Sequence, residues 1–324
     1  MLLNPKIFDA DIEKAGTREG FGEGLVLLGE ENKNVVALSA DLVESVKMDA
    51  FAKKYPERFF EMGISEQNMA SVASGMAIMG KIPFIGSYAV FSPGRNWEQI
   101  RTTICYNNSN VKIIGSHAGV TVGPDGGSHQ CLEDIALTRV LPNMTVLVPC
   151  DAIEAKKAVI AAAKISGPVY IRLSRNKTPI VTTEEMPFEI GKSEVVFETS
   201  NPLVGIVVTG SLLYNVIIAA KELSDAGINV SVLKLTTVKP LDEEGILSFA
   251  ERSGGKIVTV EDHQVAGGMG SAVAELFAKK SPLPIEFVGV HDRFGQSGTP
   301  EELLKEYGLD TPAIKNAVMK IVKR

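Results

Sequence analysis

The sequence predicts an α/β protein of two domains, each built on a mostly parallel sheet covered by helices. Three observations carry that expectation. Short β-branched runs alternate with longer amphipathic stretches along most of the chain, the pattern of strand and helix in turn. The strand-like runs are nearly continuously apolar, as strands buried on both faces must be. A polar segment near the middle breaks the alternation, and a length of 324 residues suits about two domains.

The elements follow in order. Arg18 to Glu31 reads as a helix with Phe21, Leu25 and Leu28 on one face. Val35 to Leu38 reads as a strand, and Arg58 to Met62 as another. Ser65 is placed as the N-cap of a helix carrying Met69, Val72, Met76 and Met79 in one stripe. Strands follow near Ile82 to Gly86, Val111 to Gly115, Thr145 to Val148 and Val169 to Leu173. His117 to Gln130 is expected to be a glycine-rich loop. Asn176 to Asn201 is polar, with two prolines and a Thr-Thr-Glu-Glu run. Beyond it, strands are expected at Leu203 to Val208, Asn229 to Leu233, Lys256 to Val260 and Ile285 to Val290. The expected division is a first domain over 1–180, a linker over 181–201 and a smaller second domain over 202–324.

Composition excludes several classes. Hydrophobic residues make up 45% and charged residues 22%, which is ordinary for a globular chain. No apolar run approaches the roughly 20 residues of a membrane span. The start, Met-Leu-Leu-Asn-Pro-Lys, lacks the basic and apolar regions of a signal peptide. The formal charge is −6, without a Lys/Arg run, which argues against nucleic acid. Cys105, Cys131 and Cys150 are too few and too widely spaced for a disulfide framework or a zinc site. They point to a reducing cytoplasm.

All four histidines, His117, His129, His263 and His291, lie in or beside glycine-bearing loops. A loop histidine is most often solvated or a cap. His117, Asp125 and His129 share one fourteen-residue glycine-rich stretch, which strengthens the case for a site there. No His-x-His or His-x-x-x-His spacing supports a metal. Glu66 heads the Ser65 helix, where an acidic residue also suits the helix dipole. Asp151 after Val148-Pro149-Cys150 is read as an N-cap. Gly267-Gly268-Met269-Gly270 lacks the full phosphate-loop spacing and is read as close packing at a strand-to-helix turn.

Several segments then stop being generic. Gly63-Ile64-Ser65-Glu66-Gln67-Asn68-Met69 resembles the catalytic-glutamate motif of the transketolase family. Ser39-Ala40-Asp41-Leu42, Tyr88-Ala89-Val90-Phe91, Ser116-His117-Ala118-Gly119, Asp125-Gly126-Gly127-Ser128-His129-Gln130, Leu141-Pro142-Asn143-Met144 and Ile171-Arg172-Leu173-Ser174-Arg175 continue the match in order. Asp292-Arg293-Phe294-Gly295-Gln296-Ser297-Gly298 extends it to the second domain. The resemblance implies a pyrimidine-binding domain followed by a transketolase C-terminal domain. It also implies thiamine diphosphate as cofactor. Family members hold the diphosphate through Mg²⁺ with a Gly-Asp-Gly motif and a later Asn, and no Gly-Asp-Gly occurs here. The resemblance is therefore to the C-terminal subunit of a split transketolase. A separate N-terminal subunit would bind diphosphate and Mg²⁺, in an α2β2 heterotetramer of the cytoplasmic pentose phosphate pathway. No residue of this chain is assigned to the metal.

The resemblance also implies roles. Glu66 would hydrogen-bond the aminopyrimidine of the cofactor, in a dry pocket that favours a neutral carboxyl group. Phe91 and Tyr88 would pack on the pyrimidine, and Asp41 would line the pocket near the thiazolium. His129 and Asp125 would contact the reacting end of a sugar phosphate. Arg18, Ser45, His117 and Arg175 would clamp its phosphate, since the planar guanidinium fork suits that anion. His263 and His291 receive no role. The main rival reading is the beta subunit of a thiamine-dependent 2-oxo acid dehydrogenase, which shares the domain order and a similar Gly-Pro-Val-Tyr-Ile-Arg-Leu segment but needs no sugar-phosphate clamp. Deoxyxylulose-phosphate synthase is usually one longer chain. A non-catalytic paralogue would have no use for both Glu66 and the clamp.

Overall fold

The computed structural model describes residues 3–324. The first domain was expected to start at residue 1, and residues 1 and 2 lie outside the described residues. The leader expectation rests partly on them too.

The first domain is built on a seven-stranded sheet. Its order is Thr237–Lys239, Thr145–Leu147, Val169–Arg172, Lys112–Ser116, Ile82–Tyr88, Val35–Ser39, Phe59–Glu61. Every pair is parallel except that of Thr237–Lys239 with Thr145–Leu147. Val35–Ser39 and Lys112–Ser116 are buried throughout, which explains the apolar runs Val35–Leu38 and Ile113–Ile114 within them, while the buried Lys112 donates Nζ to the Ile165 and Gly167 carbonyls. The helices Thr17–Glu31 and Ala152–Lys164 cover one face, with Phe21, Leu25 and Leu28 packed among Ala155, Ala158, Val159 and Ala162. They approach closely: a Cβ on Gly20 would lie 1.9 Å from the Ala152 carbonyl oxygen, so no other residue fits there.

The second sheet has five strands, in the order Ile285–Val290, Ile257–Gln264, Val204–Val208, Val230–Lys234, Glu194–Glu198. The first four run parallel, and the last is antiparallel to its neighbour. One apolar cluster joins both sheets, with Val36, Leu38 and Ile113 of the first packed into the same body as Val207 of the second and Phe249 and Phe277 of the helices that cover it. At about 25 cal/mol per Å² of apolar area removed from water, such a shared core binds the domains strongly.

The structure differs from the sequence reading at several points. The expected linker 181–201 contains the strand Glu194–Glu198, and Lys177–Pro179 pairs with Lys14–Gly16 at the start of the first domain. Phe59–Glu61 is shorter than expected because Pro56–Arg58 forms a tight helical turn ahead of it. Ser65 stands at the N-cap, but its side chain does not cap the helix Glu66–Ile78. The loop 117–130 contains a turn of 3₁₀ helix at Val120–Val122. Asp151 does cap Ala152–Lys164, accepting from the Glu154 amide at 2.9 Å. Among the described residues, no helix is long and apolar enough to cross a membrane.

Candidate active site

Parallel strands deliver their following loops to one edge of the sheet. Asp41 follows Val35–Ser39, Glu66 follows Phe59–Glu61, and Tyr88 ends Ile82–Tyr88. His117 follows Lys112–Ser116, and Arg175 lies just past Val169–Arg172. Neighbouring strands thus bring distant segments to a common rim. Asp41 and His117 both hold φ near +60°, a left-handed turn that costs free energy and sends the chain sharply off the strand end.

At one end of the rim lies Glu66, 1% exposed. Its Oε2 accepts from Arg95 Nη1 at 2.8 Å, and its Oε1 has a single long contact, 3.5 Å from the Ser87 hydroxyl. Asn96 Nδ2 donates to its backbone carbonyl at 3.1 Å. Arg95 also lies over the Phe91 ring, 4.5 Å from its centroid. The pocket that the sequence reading expected to be dry and aromatic therefore also holds a cation. The residue motifs did not single out Arg95. Its pairing with Glu66 spans 29 positions and leaves no local signal.

A stack of rings runs from there. Tyr88 lies against Phe91 with centroids 5.8 Å apart and planes within 13°, and against His117 at 3.8 Å. His129 meets Tyr88 and Phe91 edge-on at 6.2 and 5.6 Å. The His117 Nδ1 lies 2.9 Å from the Ser116 hydroxyl. Burial, with help from Arg18, Arg175 and His129, pushes its imidazole down to about 3, so it is neutral near pH 7.

At the other end stand Arg18 and Arg175. Arg18 Nη1 donates to the Ser45 carbonyl at 2.7 Å, and Arg175 Nη1 to the Val122 carbonyl at 2.9 Å. They come together because Thr17 and Ser174 are tied: the Ser174 amide donates to Thr17 Oγ1 at 2.9 Å. Neither arginine pairs with a carboxylate within 4 Å among the described residues. Burial and then the neighbouring Arg175 lower the Arg18 pKa. Two guanidinium groups on one rim without a carboxylate within 4 Å have the chemistry to receive an anion.

The structure thus brings together Glu66, Tyr88, Phe91, His117, His129, Arg18 and Arg175. Ser45 joins through its carbonyl. Asp41 and Asp125 are exposed at the rim. Asp125 has no hydrogen bond or ion pair among the described residues. A cavity of about 610 Å³, lined in part by Val90, Ser128, Gln130, Gln264 and Phe294, opens beside the loop between the domains.

His263, given no role, is buried, and its Nε2 accepts from the Ile135 amide at 3.2 Å. Its neighbour Asp262 reaches the site loop, with Oδ1 accepting from the Val120 amide at 2.9 Å. The glycine turn 267–270 closes on the chain's own Glu261, whose carboxyl group accepts from the Met269 and Gly270 amides. Burial pushes that carboxyl up to about 7. Among the described residues no group of three or more His, Cys, Asp or Glu could hold a metal.

Taken together, the fold and rim define a two-domain α/β protein with a cleft at the carboxyl edge of its larger sheet, acidic at one end and cationic at the other. The sequence matches the transketolase pyrimidine-binding domain over residues 13–181 and the transketolase C-terminal domain over 191–314. It is 43% identical over 312 residues to a transketolase C-terminal section of Methanocaldococcus jannaschii, covering 95% of this chain and 97% of that one. It is 36% identical to a 6-deoxy-6-sulfo-D-fructose transketolase subunit of a Clostridium species, covering 98% of both. A solved structure described as a split gene transketolase, inactive β4 tetramer, is 46% identical and superposes with a TM-score of 0.88 over 95% of this chain and 98% of that one. The chain spans about half the length of human transketolase, which it matches at 37% identity. It belongs to the transketolase family, a family of transferases.

Proposed function

We propose that this chain is the C-terminal subunit of a transketolase and, with an N-terminal partner subunit, transfers a two-carbon ketol unit from a ketose phosphate to an aldose phosphate. The observation that carries the reading is the pair Arg18 and Arg175, which face one cleft without a carboxylate partner. Relatives similar over nearly their whole length support the two-chain arrangement, being named as a C-terminal section and a subunit.

The residues at the acidic end fit thiamine diphosphate. Glu66 is a buried carboxylate whose Oε1 keeps room for a donor, and Phe91 and Tyr88 offer aromatic faces beside it. Those three would hold the aminopyrimidine, and the partner subunit would hold Mg²⁺ and the diphosphate. When bound, the cofactor supplies the electron sink that lets the bond beside a ketose carbonyl break. Glu66 would hold or move a proton at Oε1. His117 and His129 flank the place between the rings and the arginines, where a sugar hydroxyl would lie. A neutral His117 can accept or donate there without adding charge. Arg18 and Arg175 anchor the far phosphate, which places the reacting end over the cofactor.

The test is reconstitution. The purified chain mixed with an N-terminal transketolase subunit, thiamine diphosphate and Mg²⁺ is expected to convert xylulose 5-phosphate and ribose 5-phosphate, and each chain alone is expected to be inactive. Robust turnover by this chain alone would overturn the two-chain reading.

A further inference from the structure

None of the residues assigned to the cleft lies in the second domain, yet that domain holds the loop that carries His117 and His129. Asp262 is 4% exposed and sits on the strand Ile257–Gln264. Its Oδ1 accepts from the Val120 amide at 2.9 Å and its Oδ2 from the Thr121 hydroxyl at 3.3 Å. Gly119 holds φ at +88°, and a Cβ there would lie 2.0 Å from Asp262 Oδ2, so the loop is shaped to this carboxylate. The clamped turn Val120–Val122 then offers its last carbonyl to Arg175 at 2.9 Å. Three residues before that turn stands His117, and the Gly119 amide ties the same segment to the Cys131 carbonyl at 2.9 Å, next to His129 and Gln130. Gln130 adds a second tether, donating to the Val120 carbonyl and to the Gln296 carbonyl, both at 3.0 Å.

We propose that Asp262 is a positioning residue. It fixes the turn 120–122 and thereby aims Arg175 and His117 at a bound phosphate. The proposal rests on the anion-clamp reading of the cleft. It assigns to the second domain control over substrate affinity, without direct contact with substrate.

The chain has four histidines, so ¹⁵N-histidine labelling gives a readout independent of activity. Asp262→Ala is expected to shift or broaden His117 and His129 while leaving the exposed His291 unchanged. In the same samples, affinity for inorganic phosphate and for ribose 5-phosphate is expected to fall about tenfold, the loss of one well-aimed charge-assisted contact. Asp262→Asn keeps the acceptor for the Val120 amide and is expected to stay within about twofold of the unaltered chain. A merely structural role would move all the histidines together and would not separate Asn from Ala. Should Asp262→Ala not fold, Thr121→Val removes one partner of the same carboxylate and is read the same way. Unchanged His117 and His129 signals with unchanged phosphate affinity would overturn the proposal. If the unaltered chain binds neither anion, the clamp reading falls, while the histidine signals still decide whether Asp262 positions the loop.

Discussion

His117 and His263 occupy matching places at the carboxyl edges of the two sheets, and their surroundings differ in one respect. Both are buried, and burial pushes both imidazoles down, to about 3 and about 4. His263 has both nitrogens engaged: Nε2 accepts from the first turn of the helix Asp134–Arg139, and Nδ1 donates to the Gln264 carbonyl at 2.7 Å. His117 meets Ser116 with Nδ1, and its Nε2 has no partner among the described residues. One ring is consumed in joining domains, and the other leaves a nitrogen without a protein partner among the described residues. A displaced pKa therefore does not tell function from structure, but the inventory of partners does.

If the comparison is right, changes at the first edge alter chemistry and changes at the second alter stability. The largest effect is expected for Glu66→Gln. In the reconstituted complex, turnover should fall by about 10²-fold or more, since the amide cannot share a proton with a ring nitrogen. Folding should hold, because the released Arg95 side chain is already 46% exposed. Turnover above a third of normal at saturating cofactor would reduce Glu66 to a structural acid.

Next come Arg18→Ala and Arg175→Ala. Each removes a charge-assisted contact of roughly 1.5–3 kcal/mol, or about ten- to a hundredfold in kcat/KM. The loss should appear with xylulose 5-phosphate and be small with hydroxypyruvate, which carries no phosphate. Equal losses on both donors would assign the arginines to the fold.

His263→Phe tests the other edge. It strips the acceptor from the amides that open Asp134–Arg139, at about 1–3 kcal/mol. Thermal denaturation should show a lowered Tm, while kcat/KM below the transition stays within about twofold. A large kinetic defect in a stably folded variant would break the comparison.

A further effect lies in pH. Histidines whose folded pKa lies below the unfolded value of 6.5 bind fewer protons folded than unfolded in that window. Stability is full above about 6.5 and is lost as pH falls toward about 4 for His263 and about 3 for His117. Glu261 has the opposite sign, its contribution being lost as pH rises through about 7. The histidine slope is therefore read as a difference. His117→Asn should flatten the stability profile between pH 4.5 and 6.5 by roughly 1 kcal/mol per pH unit. An unchanged slope would mean that His117 is solvated in solution.

The buried strands were legible because a short run dominated by apolar residues has few other uses. Val35–Ser39, Lys112–Ser116 and Val204–Val208 fall within two residues of their expected places. Glu194–Glu198 was hidden because an antiparallel edge strand is half polar and sits amid turn residues. Thr237–Lys239 was hidden because its partner lies in the other domain. Within the site, Glu66, His117 and Arg175 sit in the motifs that carry the resemblance, and Arg18 was placed by the resemblance alone. Arg95 and Asp262 were not, since their meaning rests on contacts across 29 and 142 positions of chain.

That crossing strand bears on how the molecule can be divided. Thr237–Lys239 belongs by sequence to the second domain and closes the outer edge of the first sheet beside Thr145–Leu147. A fragment ending near residue 201 would carry a bare row of amides and carbonyls along Thr145–Leu147. Such an edge recruits any free strand, its own copies first. The two halves are thus poor candidates for separate expression or for exchange between relatives as interchangeable blocks. A hybrid would have to carry residues 237–239 with the domain they complete rather than the one they follow.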